Sequence, residues 1–96
     1  MRRALVTGAS RGIGAAIAKR LAAAGHSVIV NYRSDHAAAN TVVEEIRSKG
    51  GDAVAVAFDV ADRAATEQAI AQLLQDPRPI GILVNNAGVT ADAAFP

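Results

Sequence analysis

Apolar residues along the chain gather into short unbroken runs, and longer alanine-rich stretches separate them. The runs Ala4-Leu5-Val6, SVIVNY, AVAVAF and IGILVN are too short for helices and predict strands over 3–7, 27–32, 53–58 and 80–85. The stretches between them predict helices over 12–24, 36–49 and 63–74. In the first helix Ile13, Ile17 and Leu21 recur at i, i+4 and i+8 on one face. In the third, Ile70, Leu73 and Leu74 are expected to turn inward. The punctuation agrees. Gly25 is placed to end the first helix, Ser34 or Asp35 to cap the second, Gly50-Gly51 to terminate it, and Asp62 to cap the third. Asp76-Pro77-Arg78-Pro79 reads as a turn.

Alternation of β and α elements implies an α/β fold: a doubly wound parallel sheet in three α/β/α layers, joined by right-handed crossovers. The expected strand order is 3-2-1-4. A ligand would sit where that order reverses, beside the first and fourth strands. The composition suits such a sheet. Of the 96 residues, 51% are hydrophobic and only 3% aromatic, so the core is aliphatic. The formal net charge of +1 argues against a nucleic acid or membrane surface held by bulk charge. There is no cysteine, hence no disulfide framework and no thiolate metal site. No stretch approaches the roughly 20 apolar residues of a membrane span. The basic MRRALVTG start lacks the apolar core of a signal peptide, so a soluble, cytoplasmic protein is expected.

The most specific segment is ALVTGASRGIG, Ala4 to Gly14. A buried strand breaks into Gly8, Gly12 and Gly14, then resumes as a helix. Free backbone N–H groups and the helix dipole make such a helix start an anion site, suited to a dinucleotide pyrophosphate. At the end of the second strand, NAD sites place a carboxylate on the ribose 2′-OH. Asn31-Tyr32-Arg33-Ser34 has no acid before Asp35. An arginine there binds a 2′-phosphate through charge-assisted hydrogen bonds, so Arg33, with Arg11 facing it from the glycine loop, predicts NADPH over NADH. His26 and His36 are expected at the surface, and Glu44-Glu45 on a solvated helix face. No His, Asp or Glu cluster has metal-ligand spacing, so no metal is expected.

TGASRGIG at 7–14 together with NNAG at 85–88 resembles the paired signature of the short-chain dehydrogenase/reductase family. NYRS at 31–34, FDV at 58–60 and ILVNNAGVT at 82–90 are most similar to its 3-oxoacyl-[acyl-carrier-protein] reductase branch. The resemblance implies a Rossmann fold and hydride transfer from a nicotinamide cofactor, NADPH by the arginine reading above, to a carbonyl, here an acyl thioester or other carbonyl substrate of fatty acid biosynthesis. It implies a cofactor set of Gly8, Ser10, Arg11, Gly12, Ile13, Gly14, Asp59, Val60, Asn86, Ala87 and Gly88, to which the reading of the end of the second strand adds Tyr32, Arg33 and Ser34. Within that set the glycines hold the pyrophosphate, and Asp59 with the Val60 backbone meets the adenine. Asn86 to Gly88 run beside the ribose, and Thr90 follows the motif. Asn85 is read instead as a structural amide bridging neighbouring strands.

The family's proton-transfer set is an Asn, a Ser, and the Tyr and Lys of a Y-x-x-x-K motif, all beyond the fourth strand. The one tyrosine, Tyr32, has no lysine in that register and lies at the ribose end. The resemblance therefore implies that residues 1–96 are the N-terminal dinucleotide-binding part of a single Rossmann domain of roughly 250 residues. The catalytic half is then absent, no residue of this chain is catalytic, and the chain alone is inactive. The intact protein is expected to be a homotetramer or homodimer. Alternatives are an isolated module that binds the adenosine half of NADP(H), or an interaction fragment whose fourth-strand edge pairs with another chain. Ala91, where this branch often carries a basic residue, and the proline-rich 76–79 turn depart from the branch pattern.

Overall fold

A computed structural model describes residues 2–86. The elements alternate as expected: β1 (Arg3–Val6), α1 (Gly12–Ala23), β2 (Ser27–Tyr32), α2 (His36–Ser48), β3 (Asp52–Ala57), α3 (Arg63–Leu73) and β4 (Ile80–Val84). The boundaries fall within one residue of those read from the pattern. The strands form one parallel sheet in the order β3-β2-β1-β4. Leu5 pairs with Ile29 on one side and Leu83 on the other, and Ile29 pairs with Val54. The β1–β4 register slips between Arg3 and Ala4, which pair with Ile80 and Ile82, leaving Gly81 as the extra residue of a bulge.

Helix ends follow local chemistry. Gly25 has φ 99°, its N–H donates to Ala22 O, and His26 N–H reaches back to Leu21 O. Gly50, at φ 85°, does the same after α2, with Gly51 N–H on Ile46 O. Both are Schellman closures that require the left-handed backbone glycine permits. Asp35 and Asp62 cap α2 and α3 by accepting from Ala38 N–H and Ala65 N–H, both at 3.0 Å.

The main core lies between the sheet and the pair α1–α2. It joins Val6, Val28 and Val30 of the sheet to Ala15, Ala18 and Ala22 of α1 and to Ala39, Val42, Val43 and Ile46 of α2. Lys19 of α1 and Glu45 of α2 tie the two helices at 2.6 Å, and Lys19 holds the Glu45 carboxyl below its ordinary pKa. Glu44 is exposed as expected, whereas Glu45 is half-buried by that pairing.

Two packing expectations need correction. The Ile13-Ile17-Leu21 stripe does not form the buried face of α1. Ile13 is 64% exposed, Ile17 and Leu21 pack only at the core margin, and the buried stripe is Gly14, Ala15, Ala18 and Ala22. Small residues let the helix axis approach the sheet and α2 closely, so they win the inner face over larger side chains. The expected inward turn of Ile70, Leu73 and Leu74 is likewise reduced. No α3 residue is fully buried, and Leu74, the C-cap, is 61% exposed because the helix ends before it.

Candidate functional site

The carboxyl ends of all four strands converge on one open cleft of about 790 Å³ at the reversal of strand order. Its floor is the loop after β1. Gly8 and Gly12 take φ of 62° and 61°, backbone that a side chain would strain. Gly14 is a glycine for a different reason. A Cβ there would lie 2.3 Å from Gly8 O and 2.7 Å from Asn86 Nδ2, so it lets α1 seat against the loop. The α1 N-cap, Arg11, is extended and offers no capping side-chain bond, and the first turn carries no acid. The first-turn amides therefore have neither an intrahelical partner nor a capping side chain, in contrast to α2 and α3.

One wall is the end of β2. Arg33 and Ser34 line it with Asp35, and Arg11 reaches Asp35 at 2.5 Å. The facing wall is Phe58-Asp59-Val60 after β3, where Asp59 meets Arg33 at 3.4 Å and accepts Ala61 N–H at 2.9 Å. The Arg11 and Arg33 side chains are 73% and 79% exposed, so each ion pair lies open to solvent at the cleft. The third side is the end of β4. Asn86 N–H donates to the Thr7 hydroxyl at 2.9 Å, and Asn86 Nδ2 donates to Gly8 O at 3.1 Å. Asn85 Oδ1 lies 3.4 Å from the Thr7 hydroxyl, across the ends of β1 and β4, as a bridging amide would.

Eight residues of the expected cofactor set thus share the cleft: Gly8, Ser10, Arg11, Arg33, Ser34, Asp59, Val60 and Asn86. Gly12, Ile13 and Gly14 form the adjoining helix start, with the Ile13 side chain turned out to solvent. Tyr32 is placed elsewhere. It is 7% exposed within the core, and its hydroxyl is in close contact with His36 Nδ1. His36 is exposed as expected, though its ring packs on Tyr32; His26 is only half-exposed. Ala87, Gly88, Thr90 and Ala91 lie outside the described residues. Among the described residues, no group of three His, Cys, Asp or Glu could hold a metal, and no helix is long and apolar enough to cross a membrane.

Sequence reasoning missed the part that Asp35 and Asn31 play in this cleft. Asp35 enters it as Arg11's partner, a pairing that depends on chain positions 24 apart. Asn31, 1% exposed, accepts Gly8 N–H on Oδ1 at 3.1 Å and donates from Nδ2 to Phe58 O at 3.0 Å and Val56 O at 3.3 Å. Its one sequence signal is a polar residue inside an otherwise apolar strand.

The residues fit a dinucleotide. Its pyrophosphate needs unpaired amides, which the α1 start provides, and no side chains in the way, which the glycine loop provides. Two exposed guanidiniums and polar strand ends suit the adenosine portion.

Comparison with known proteins agrees. The sequence model of the short chain dehydrogenase family matches residues 2–96. A 3-oxoacyl-[acyl-carrier-protein] reductase of Synechocystis is 52% identical over 89 residues, 93% of this chain and 36% of its own. The FabG reductase of Staphylococcus aureus is 47% identical over the same shares. A blue fluorescent protein from a metagenomic library, solved in complex with NADPH, superposes with a TM-score of 0.82 at 44% identity, over 92% of this chain and 36% of that one. The chain thus spans about a third of the length of the curated relatives it matches.

Proposed function

The chain belongs to the short chain dehydrogenase family, and on that premise we propose that its cleft holds the adenosine half of NADP(H). The intact protein is then an NADPH-dependent carbonyl reductase that converts 3-oxoacyl-[acyl-carrier-protein] to the 3-hydroxyacyl product. The observation that carries the cofactor reading is the pair of exposed arginines, Arg11 and Arg33, in a cleft floored by the glycine loop. The substrate reading is supported by the relatives named 3-oxoacyl-[acyl-carrier-protein] reductase at 52% and 47% identity.

In this reading the first-turn amides of α1, with Gly8 and Gly12 leaving room, bind the pyrophosphate. Arg33, Arg11 and Ser34 take the 2′-phosphate, with the planar guanidiniums suited to bidentate contact. Asp59 and the Val60 backbone receive the adenine, and Asn86, Ala87 and Gly88 flank the ribose. When bound, the nicotinamide supplies hydride to the carbonyl carbon. The family's Asn, Ser, Tyr and Lys set has no counterpart in the sequence of this chain. Residues 1–96 by themselves therefore bind cofactor and turn nothing over. The intact protein works in the cytoplasm as a homotetramer or homodimer.

The test is titration of NADPH and NADH into the protein and its Arg33→Ala variant, read by calorimetry. The native chain should prefer NADPH by about tenfold or more, and Arg33→Ala should remove most of that preference. An unchanged NADPH/NADH affinity ratio sinks the assignment. Turnover of a 3-oxoacyl thioester by the intact protein then separates a reductase from a binding module.

A further inference from the structure

We infer that Asn31 is a positioning residue for the dinucleotide, one that sets the separation between the two walls the ligand must span. This rests on the reading that the cleft holds NADP(H). The amide joins, through one side chain, the glycine loop and the end of β3, which flank β2 on either side in the sheet. Its Oδ1 accepts the Gly8 N–H of the glycine loop at 3.1 Å. Its Nδ2 donates to Phe58 O at 3.0 Å and Val56 O at 3.3 Å, at the end of β3 where the adenine wall begins. Its backbone carbonyl accepts the next loop amide, Ala9 N–H, at 2.8 Å. Two consecutive loop amides therefore end on one residue and are not available to a ligand. The amides of the α1 first turn, by contrast, have no capping side chain.

The chemistry of the side chain matters here. Only an amide presents an acceptor and two donors in one plane at this length. Asn31 is 1% exposed and follows Val28, Ile29 and Val30, so a strand that needed only packing would carry another aliphatic residue here. Burying the amide is favourable only because every polar atom on it is bonded, and each partner would be left unsatisfied without it. The β3 wall is further tied to β2 by Phe58 N–H on Tyr32 O at 3.0 Å, so the amide acts on a strand end that is already in place. What it adds is the link from that strand end to the loop.

Asn31→Asp isolates this link. The carboxylate keeps an acceptor for Gly8 N–H but turns a second oxygen against the Val56 and Phe58 carbonyls, so the adenine wall is released from the loop. NADP⁺ also sets its pyrophosphate on the loop backbone, whereas 2′-AMP lacks the pyrophosphate and meets the loop only through the Arg11 side chain. With the fold verified by circular dichroism at the titration temperature, Asn31→Asp should weaken NADP⁺ by about tenfold or more and 2′-AMP by less than about threefold. Asn31→Thr, whose hydroxyl cannot reach both sides at once, carries the same comparison where the Asp variant does not fold. Equal losses for both ligands, or no loss for NADP⁺, overturn the inference. Failure of the native protein to bind NADP⁺ at all removes the cofactor reading instead.

Discussion

Arg11 and Arg33 each face the cleft across a carboxylate, Asp35 at 2.5 Å and Asp59 at 3.4 Å. Exposed ion pairs of this kind contribute about 0–1 kcal/mol, so a doubly charged phosphate can draw a guanidinium away from its carboxylate at small cost. The carboxylates then matter as competitors for the arginines. Asp35→Asn tests this cleanly, because asparagine caps a helix as well as aspartate does and the bond from Ala38 N–H can survive. It should tighten NADP⁺ by about three- to tenfold in calorimetry, leave NAD⁺ unchanged and leave the melting temperature within error. A loss of NAD⁺ affinity would instead assign Asp35 to the ribose hydroxyls. At this scale Arg33 was legible from its place after the second strand, and so were the glycines. Asp35 and Asn31 were not, because their partners are 24 and 23 to 27 positions away.

Among the elements, α1 and α3 show why periodicity alone misassigns faces. The large residues of α1 recur at helical spacing, yet the alanine stripe is the one that packs, since contact distance and not hydrophobicity selects the inner face. α3 buries no residue fully, and its last residue is bonded by a side chain from β1. Arg3, 3% exposed inside β1, donates from its guanidinium to Leu73 O at 2.8 Å and to Arg78 O at 2.7 and 2.9 Å. It thereby satisfies a carbonyl at the α3 C-terminus, where positive charge also suits the helix dipole. Arg3→Met keeps the stem and strands those carbonyls. It should lower unfolding free energy by about 1.5–3 kcal/mol in urea titration, with hydrogen exchange in α3 rising before that in β2. An unchanged urea midpoint would reduce Arg3 to a packing residue. From the sequence, Arg3 was only one of two basic residues at the start of the chain, because nothing local reveals a partner 70 positions on.

Across the whole molecule, a charged network closes the end of the sheet opposite the cleft. Arg78 meets Asp76 at 2.8 Å and Asp52 at 3.4 Å, and the Ser27 hydroxyl donates to Asp52 at 2.6 Å. Bonds from Arg78 hold the Asp76 carboxyl well below the ordinary aspartate value of 3.8, and the Ser27 hydroxyl bond, with Arg78 adding to it, lowers that of Asp52. A lowered folded-state pKa means that the unfolded chain takes up protons first on acidification. The stabilisation is therefore fully present well above pH 3.8 and is lost as pH falls through and below that value. Melting temperature should be nearly level from about pH 8 to 5 and drop by pH 3, and Arg78→Met should flatten that drop. An identical acid profile in the variant would remove these pairs from the account. The alternation of runs and helices, the helix-ending glycines, the Asp caps and the glycine loop were all determined by the sequence itself, because each depends on residues within a turn or two of one another. The 3-2-1-4 order also followed, since right-handed crossovers leave few alternatives. Only the tertiary structure decided which face of α1 is inner, and that Asn31, Arg3 and the paired arginines hold distant segments together. Those contacts exist only once the sheet has brought the strand ends together, Arg3 at one end of it and the others at the cleft.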